Sequence, residues 1–341
     1  MSAPESLSVE ILVIGAGVLG LCTAAELTRR GHQVRVLDAG GINASAVAAG
    51  MIAPALESAI DDVTPERAAL LRRAADLWPG FAEAHGLALL DNGAEWRGEG
   101  SDEIEARLRA LGFAPRRDGD RVFAPEDRRV DAEAALAALR AGLAEPSIRG
   151  EALEISTTAA GWRVRHSDGV VEAGTVVLAT GAAGAVPGLP AATAELIAAI
   201  VPIRGQIGAT HTQGLPGVVR GRGAYGVSDG ARLLIGATME AGRRDLEPDP
   251  GSGRELTAAL ERFTGLVVDP AEVEWRVGVR GATADGLPLA GASGAAGLFL
   301  ALAPRRNGWL LGPMVGRVLA DAVEGEASLP DAAALDPLRS F

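Results

Sequence analysis

Gly15-Ala16-Gly17-Val18-Leu19-Gly20 lies between a β-rich run, Val9 to Ile14, and a stretch with Ala, Leu and Glu at helical density, Val18 to Arg30. That setting turns a weak GxGxxG pattern into a dinucleotide-binding fingerprint. The first glycine makes the tight turn, the second lets the backbone approach a pyrophosphate, and the third packs helix on strand. The helix start presents free N–H groups and the positive end of its dipole to phosphates. Asp38 closes the next expected strand, Val34 to Leu37. It stands about 20 residues past the loop, where a carboxylate accepts ribose hydroxyls and repels a 2′-phosphate. Glycines that merely shape a loop would not need strand, helix and acid all in register.

The nucleotide could belong to NAD or to FAD, and three later segments favour FAD. Ser45 to Pro54, SAVAAGMIAP, is a run of small residues that lets backbone lie against a flat ring system. Thr175 to Gly184, TVVLATGAAG, is a second strand ending in a glycine-rich turn. Asn307-Gly308-Trp309-Leu310-Leu311-Gly312 precedes a helix, expected from about Gly312, whose N-terminus would stabilise negative charge on a reduced flavin. Besides the fingerprint loop (Gly15, Gly17, Val18, Leu19, Gly20) and Asp38, the candidate cofactor residues are Ala39, Ser45, Ala48, Ala49, Gly50 and Met51. Further along they are Ala152, Thr180, Gly181, Arg280, Asn307, Gly308, Trp309 and Leu310.

These motifs must be carried by a chain of 341 residues, long enough for two domains. Apolar residues make up 48% and charged residues 22%, values of an ordinary globular protein and not of a disordered one. All 32 basic residues are arginine, so Schiff-base chemistry on lysine and a Walker A lysine are excluded. A net charge of -12 opposes binding to a polyanion, so nucleic acid is not expected as a partner. The single cysteine, Cys22, has no internal disulfide partner, and His32, His85, His166 and His211 lack metal-ligand spacing. A cytoplasmic protein without a metal is expected. The apolar stretch Ile11 to Ala25 is short, holds three glycines and has no basic leader, so it reads as strand, turn and helix and not as a membrane segment.

The βαβ unit at the N-terminus should place its two strands parallel and adjacent. Residues 64–88, 101–112 and 131–145 have helical texture. From 152 to 179 short strands take over, two of them bracketing the turn His166-Ser167-Asp168-Gly169. Ile203 to Ala209, Arg232 to Ala237 and Leu298 to Ala301 read as further strands, with a turn at Ser228-Asp229-Gly230.

Taken in order, the fingerprint, AAGMIAP, PIRGQ at Pro202 to Gln206, LLIGATME at Leu233 to Glu240, VGVRGATADGLPLAG at Val277 to Gly291 and RRNGWLLGP at Arg305 to Pro313 resemble the D-amino-acid oxidase family, most of all its bacterial glycine oxidase branch. The resemblance covers nearly the whole chain. It implies an α/β fold: a Rossmann-type FAD-binding domain with a second, mixed-sheet α+β substrate domain. Residues 1–75, 140–200 and 276–341 would form the first, and 76–139 and 201–275 the second. The implied reaction is hydride transfer from a small amino acid to flavin N5, giving an imine that water hydrolyses. Dioxygen or another acceptor then reoxidises the flavin, with hydrogen peroxide formed from dioxygen.

The resemblance also implies roles at the substrate end. Arg280 matches the family's carboxylate-binding arginine, and a guanidinium can give a carboxylate two parallel charge-assisted bonds. Arg306 matches a second arginine near the flavin edge; a structural ion pair is the alternative for each. Tyr225, the only tyrosine, matches one that grips the carboxylate, against plain packing, and Met239 either lines the pocket or fills core. Asp285, in TADGLP, reads as a turn holder.

The chain departs from the family at Pro304-Arg305, where an aromatic is common, at Asp38, where most relatives have glutamate, and at Gly281, where a proline is common. The cysteine and lysine of sarcosine-oxidase relatives are absent, so FAD should be non-covalent. Substrates left open are glycine, a D-amino acid and an N-substituted glycine, and a homo-oligomer is left open too. A 2-hydroxy-acid dehydrogenase would need a base that the site segments lack. An NAD enzyme would leave Asn307 to Pro313 without a role. A flavin domain acting on modified tRNA is opposed by the acidic charge.

Overall fold

The computed structural model describes residues 6–41, 43–212 and 214–340. Ser6–Ile14 and Val34–Asp38 form parallel neighbouring strands, with Ile11 opposite Val34, and the helix Val18–Arg29 connects them. Ile11, Leu12 and Val13 are almost wholly buried, as a strand covered on both faces requires. Gly169–Leu178 lies parallel on the other side of Ser6–Ile14, and Leu298–Leu302 is parallel beyond it. Leu289–Ala292 closes that edge antiparallel, Ile148–Arg149 closes the other edge parallel to Val34–Asp38, and the hairpin Ala152–Thr158/Gly161–His166 hangs on Gly169–Leu178. The turn His166 to Gly169 joins two of these strands as the sequence implies.

A second sheet of nine strands is mostly antiparallel. Its middle runs Val201–Thr210, Leu233–Gly236, Ala224–Ser228, Val218–Gly221, and it continues parallel into Ala94–Arg97. The helix Pro250–Thr264 packs Leu256, Ala259 and Leu260 against Ala224, Leu233 and Ile235.

Contacts divide the chain into two units, one of Met1–Ala46, Ala134–Ile203 and Arg280–Phe341, the other of Val47–Glu133 and Arg204–Val279. The first crossing falls at Ala46–Val47, where the sequence placed it near residue 75. The reason is packing: Ala55, Leu56, Ala59 and Ala68, on the helices Pro54–Ile60 and Pro65–Asp76, share a buried cluster with Trp96, Val122 and Val218 of the second sheet.

Two helices differ from expectation. The stretch 64–88 is two helices, Pro65–Asp76 and Trp78–Ala84, because Pro79 lacks an N–H and is tolerated only in a first turn. The C-terminal helix, Gly308–Glu324, starts earlier than the expected Gly312, with Leu311 N–H bonded to the Asn307 carbonyl. Gly312 and Pro313, poor interior residues, hid that start. The glycines are there for close approach: a Cβ on Gly312 would sit 2.9 Å from Cys22 Sγ, and one on Gly316 would sit 2.7 Å from the Cys22 carbonyl oxygen.

Candidate functional site

In the first unit the three fingerprint glycines do different jobs. Gly15 has φ +114°, and a Cβ there would lie 2.3 Å from the Ala179 carbonyl oxygen, so it is the close approach of loop to strand. A Cβ on Gly20 would lie 2.0 Å from the Gly15 carbonyl oxygen, so it is the close approach of helix to loop. Gly17 has φ −77°, and a Cβ there would meet only Ser45 Oγ, at 3.3 Å. Its side of the loop is open, a cradle that a side chain would fill.

Ser45 Oγ accepts from Val18 N–H at 3.0 Å, and its carbonyl accepts from the Trp309 indole N–H at 3.1 Å. Gly308 is equally close, its Cβ position 3.2 Å from Val18 Cγ1. Asp38 ends its strand with Oδ1 accepting from Gly40 N–H at 3.1 Å and Oδ2 3.4 Å from Arg140 Nη2. Ala39 is exposed, and Ala152 opens the hairpin strand paired with His166, two residues past Gly150, whose N–H bonds the Asp38 carbonyl.

Thr180 and Gly181 follow Gly169–Leu178, with Gly181 at φ +67°. A Cβ on Gly281 would stand 2.8 Å from Ile200 Cγ2, 3.3 Å from the Gly181 carbonyl oxygen and 3.4 Å from Ala303 Cα, so this position is tightly packed. Ala282 bridges Pro304, and Arg305 N–H bonds the Gly281 carbonyl at 2.8 Å. The stretch carrying Arg280 is therefore stitched to the one carrying Arg306, and both arginines are half-buried. Ala303 and Arg305 are left-handed, with φ 57° and 53°. Such strain costs about 1–3 kcal/mol per residue and clusters at functional sites. Asn307 is buried at the helix start, Leu19 is nearly buried, and Leu310, fully buried, is a core residue that supports this turn and offers no surface to a ligand.

In the second unit, Gly50 is left-handed at φ +69°, and its carbonyl accepts from Val130 N–H at 3.0 Å. Met51 and Ile52 pair with Arg129 and Arg128, and Ala48 and Ala49 lead into that pair. The Asp127 carboxylate accepts from Ala55 N–H at 2.8 Å and Leu56 N–H at 3.2 Å, and nearby Glu57 pairs with Arg220 at 2.6 Å, all three side chains being buried. Burial pushes the Asp127 carboxyl up to about 7, outweighing the two backbone bonds and the Arg220 charge that pull it down.

Tyr225 lies over Gly236, whose Cβ position would be 2.3 Å from the phenol oxygen. It also packs on the second sheet's core, so contact with the GATM segment and packing are both present. Residues 237–239 lie outside the strand Leu233–Gly236, and Met239 is 40% exposed, which excludes a core role. Next to it, PIRGQ anchors a loop. Arg204, 0% exposed, pairs with Glu240 and with Asp245 and donates to the Glu247 carbonyl. The Gln206 side-chain amide bonds both the carbonyl and the N–H of Asp249, at 3.0 and 2.7 Å. Asp285 holds its turn, accepting from Leu287 N–H and Thr283 Oγ and pairing with Arg339.

The family profile described as DAO, FAD dependent oxidoreductase, matches residues 10–322. The chain belongs to this family. It is 30% identical to glycine oxidase from Geobacillus kaustophilus, with 95% of each chain covered. The crystal structure of a glycine oxidase from that organism superposes with TM-score 0.82 and 26% identity, over 98% of this chain and 100% of the other. A tRNA 5-methylaminomethyl-2-thiouridine biosynthesis bifunctional protein from Paracidovorax citrulli is also 30% identical; the match covers 93% of this chain and 58% of that protein.

The first unit of this DAO-family oxidoreductase fits FAD: the open side of Gly17, the helix start that follows it and Asp38 at the strand end are what a pyrophosphate and ribose require. Among the described residues no group of three or more His, Cys, Asp or Glu is placed to hold a metal ion, and no helix is long and apolar enough to cross a membrane. The sequence reading missed Arg140, the Asp127–Glu57–Arg220 cluster and the anchoring role of Arg204 and Gln206.

Proposed function

We propose that this enzyme oxidises the nitrogen-bearing carbon of a small amino acid, giving an imine that water hydrolyses. The observation that carries the reading is the stitching of the Arg280 stretch to Ala303–Arg305, beside the start of the C-terminal helix. It sets two half-buried guanidiniums on a strained, rigid strip in an otherwise acidic chain. Arg280 takes the substrate carboxylate in bidentate fashion, and Arg306 adds positive charge to the strip. FAD, when bound, accepts the hydride, and dioxygen or another acceptor takes the electrons onward. A neutral amine substrate needs no general base for this step. The FAD is held without a covalent bond: Cys22 is fully buried against the C-terminal helix, and burial pushes its thiol up.

The test is anaerobic bleaching of the purified flavoprotein with a panel of amino acids, in wild type and Arg280 variants. Arg280→Ala should lower kcat/KM by about 30-fold to several thousand-fold, the range for losing a buried charge-assisted pair. Arg280→Lys should restore part of it, and the flavin spectrum should stay native. An amine without a carboxylate should be indifferent to the change. Equal loss on both substrates would assign Arg280 to the fold and defeat the carboxylate role.

A second reading, action on a glycine-like group of modified tRNA, draws on the relative from Paracidovorax citrulli. The net charge of -12 opposes it, and retention of tRNA in a filter-binding assay would restore it.

A further inference from the structure

The helix Ala132–Ala141 falls in the stretch 131–145, whose Ala and Leu content reads from sequence as helical. In the fold its Arg140 reaches back 124 residues to the fingerprint loop, with Nη2 donating to the Ala16 carbonyl at 3.1 Å. The same nitrogen lies 3.4 Å from Asp38 Oδ2. One guanidinium thus bridges the two halves of the dinucleotide signature, the glycine loop and the strand-end carboxylate. All three residues belong to the first unit.

Each contact has a consequence for a bound nucleotide. The peptide between Ala16 and Gly17 is planar and trans, so its carbonyl and N–H point in opposite directions. Holding the Ala16 oxygen toward Arg140 turns the Gly17 N–H the other way. It is then left to serve as one of the donors that a pyrophosphate takes from a glycine loop and helix start. At Asp38, Gly40 N–H occupies one side of Oδ1 and Arg140 one side of Oδ2. A carboxylate has about four acceptor positions, so two held in this way fix its plane and leave two for ribose hydroxyls. Arg140 also brings positive charge to the end of the site where a diphosphate carries negative charge.

We propose that Arg140 is a positioning residue for the adenosine diphosphate half of the cofactor, acting through Asp38 and the Ala16–Gly17 peptide. The proposal rests on the FAD reading above. Its side chain is 36% exposed, so truncation should not unfold the protein.

The experiment titrates apoprotein with FAD, following flavin fluorescence, for wild type, Arg140→Ala, Arg140→Lys, Asp38→Asn and the Arg140→Ala/Asp38→Asn double variant. Arg140→Ala should raise the Kd for FAD about tenfold, equivalent to about 1.4 kcal/mol. The melting temperature of the apoprotein should stay within about 0.5 °C of wild type, a shift well below 1 kcal/mol for a chain of this size. Arg140→Lys should fall between the two, since a point charge cannot serve both acceptors with fork geometry. The double variant should bind FAD less weakly than the sum of the single effects predicts, because the residues act together. A Kd within twofold of wild type, or a loss matched by a fall in apoprotein stability, would overturn the proposal. Full additivity would overturn the route through Asp38. Wild-type apoprotein that takes up no FAD, or Asp38→Asn that binds it normally, would instead defeat the fingerprint reading, and this proposal with it.

Discussion

The Trp309 indole N–H donates to the Ser45 carbonyl at 3.1 Å across 264 residues of sequence. Because the Ser45 hydroxyl accepts from Val18 N–H, one residue ties together the C-terminal helix, the small-residue segment and the fingerprint helix. Trp309→Phe keeps the ring and removes the donor. One neutral hydrogen bond is worth about 0.5–1.5 kcal/mol, so the urea midpoint of the apoprotein should fall by a matching amount. An unmoved midpoint would show that this bond does not contribute in solution.

The glycines of the fingerprint should separate folding from binding. Gly17→Ala adds a methyl whose only neighbour is the Ser45 hydroxyl at 3.3 Å, in a conformation any residue adopts. That variant should fold and bind FAD more weakly, and Gly17→Val should retain none. Gly20→Ala forces a Cβ to 2.0 Å from the Gly15 carbonyl oxygen and should lower the melting temperature of the apoprotein itself. Circular dichroism against the flavin-to-protein absorbance ratio reads the two effects apart. The argument fails if Gly20→Ala melts like wild type.

His32 gives stability a pH dependence of known sign. It bridges Glu10 at 2.6 Å and Glu324 at 3.0 Å. The bond to Glu10 raises its pKa, burial opposes this, and Glu324 adds to the rise. A raised histidine contributes stability that is fully present below its unfolded value of about 6.5 and lost as pH rises through the folded value. Glu10 is lowered by the Gln33 backbone bond first and His32 next, and Glu324 by Arg30 first, so their contributions vanish at acid pH. The stability lost in His32→Gln should therefore be largest at about pH 5.5–6 and shrink toward pH 9. Urea midpoints across that range measure it; a pH-independent difference would contradict the ion-pair account.

The loop after Met239 should be releasable by one atom's chemistry. Gln206→Glu keeps the shape and the acceptor for Asp249 N–H, but sets a second oxygen against the Asp249 carbonyl. In a chain without lysine, trypsin cuts only after arginine, and Arg243 and Arg244 are exposed in this loop. Cleavage there should quicken in the variant while cleavage elsewhere stays unchanged. Equal rates would mean that Arg204 alone holds the loop.

The fingerprint and the alternation of strand and helix were readable because each is local: an apolar run, a glycine spacing, a periodicity. The early start of the C-terminal helix was hidden because Gly312 and Pro313 look like a boundary, and only contact with Cys22 explains a glycine inside the helix. Arg140 carried no signal, being one arginine in an alanine-rich helix whose partner Asp38 lies 102 residues away. PIRGQ was visible as a motif, but its task depends on a loop more than 30 residues downstream in sequence.

The twofold interruption of the first unit orders events on the ribosome. Ser6–Ile14 can pair with Val34–Asp38 as soon as both have emerged, but its other neighbour, Gly169–Leu178, arrives only after a whole segment of the second unit has been made. That neighbour's own far edge waits for Leu298–Leu302, and Trp309 comes later still. Pairings of such long sequence separation are slow to close. The nascent fingerprint therefore spends most of translation as an open-edged βαβ unit, and competence to hold a nucleotide arrives late, when the C-terminal helix leaves the exit tunnel. Any chain stopped before about residue 302 would keep the glycine signature intact and still lack the strand that completes its sheet.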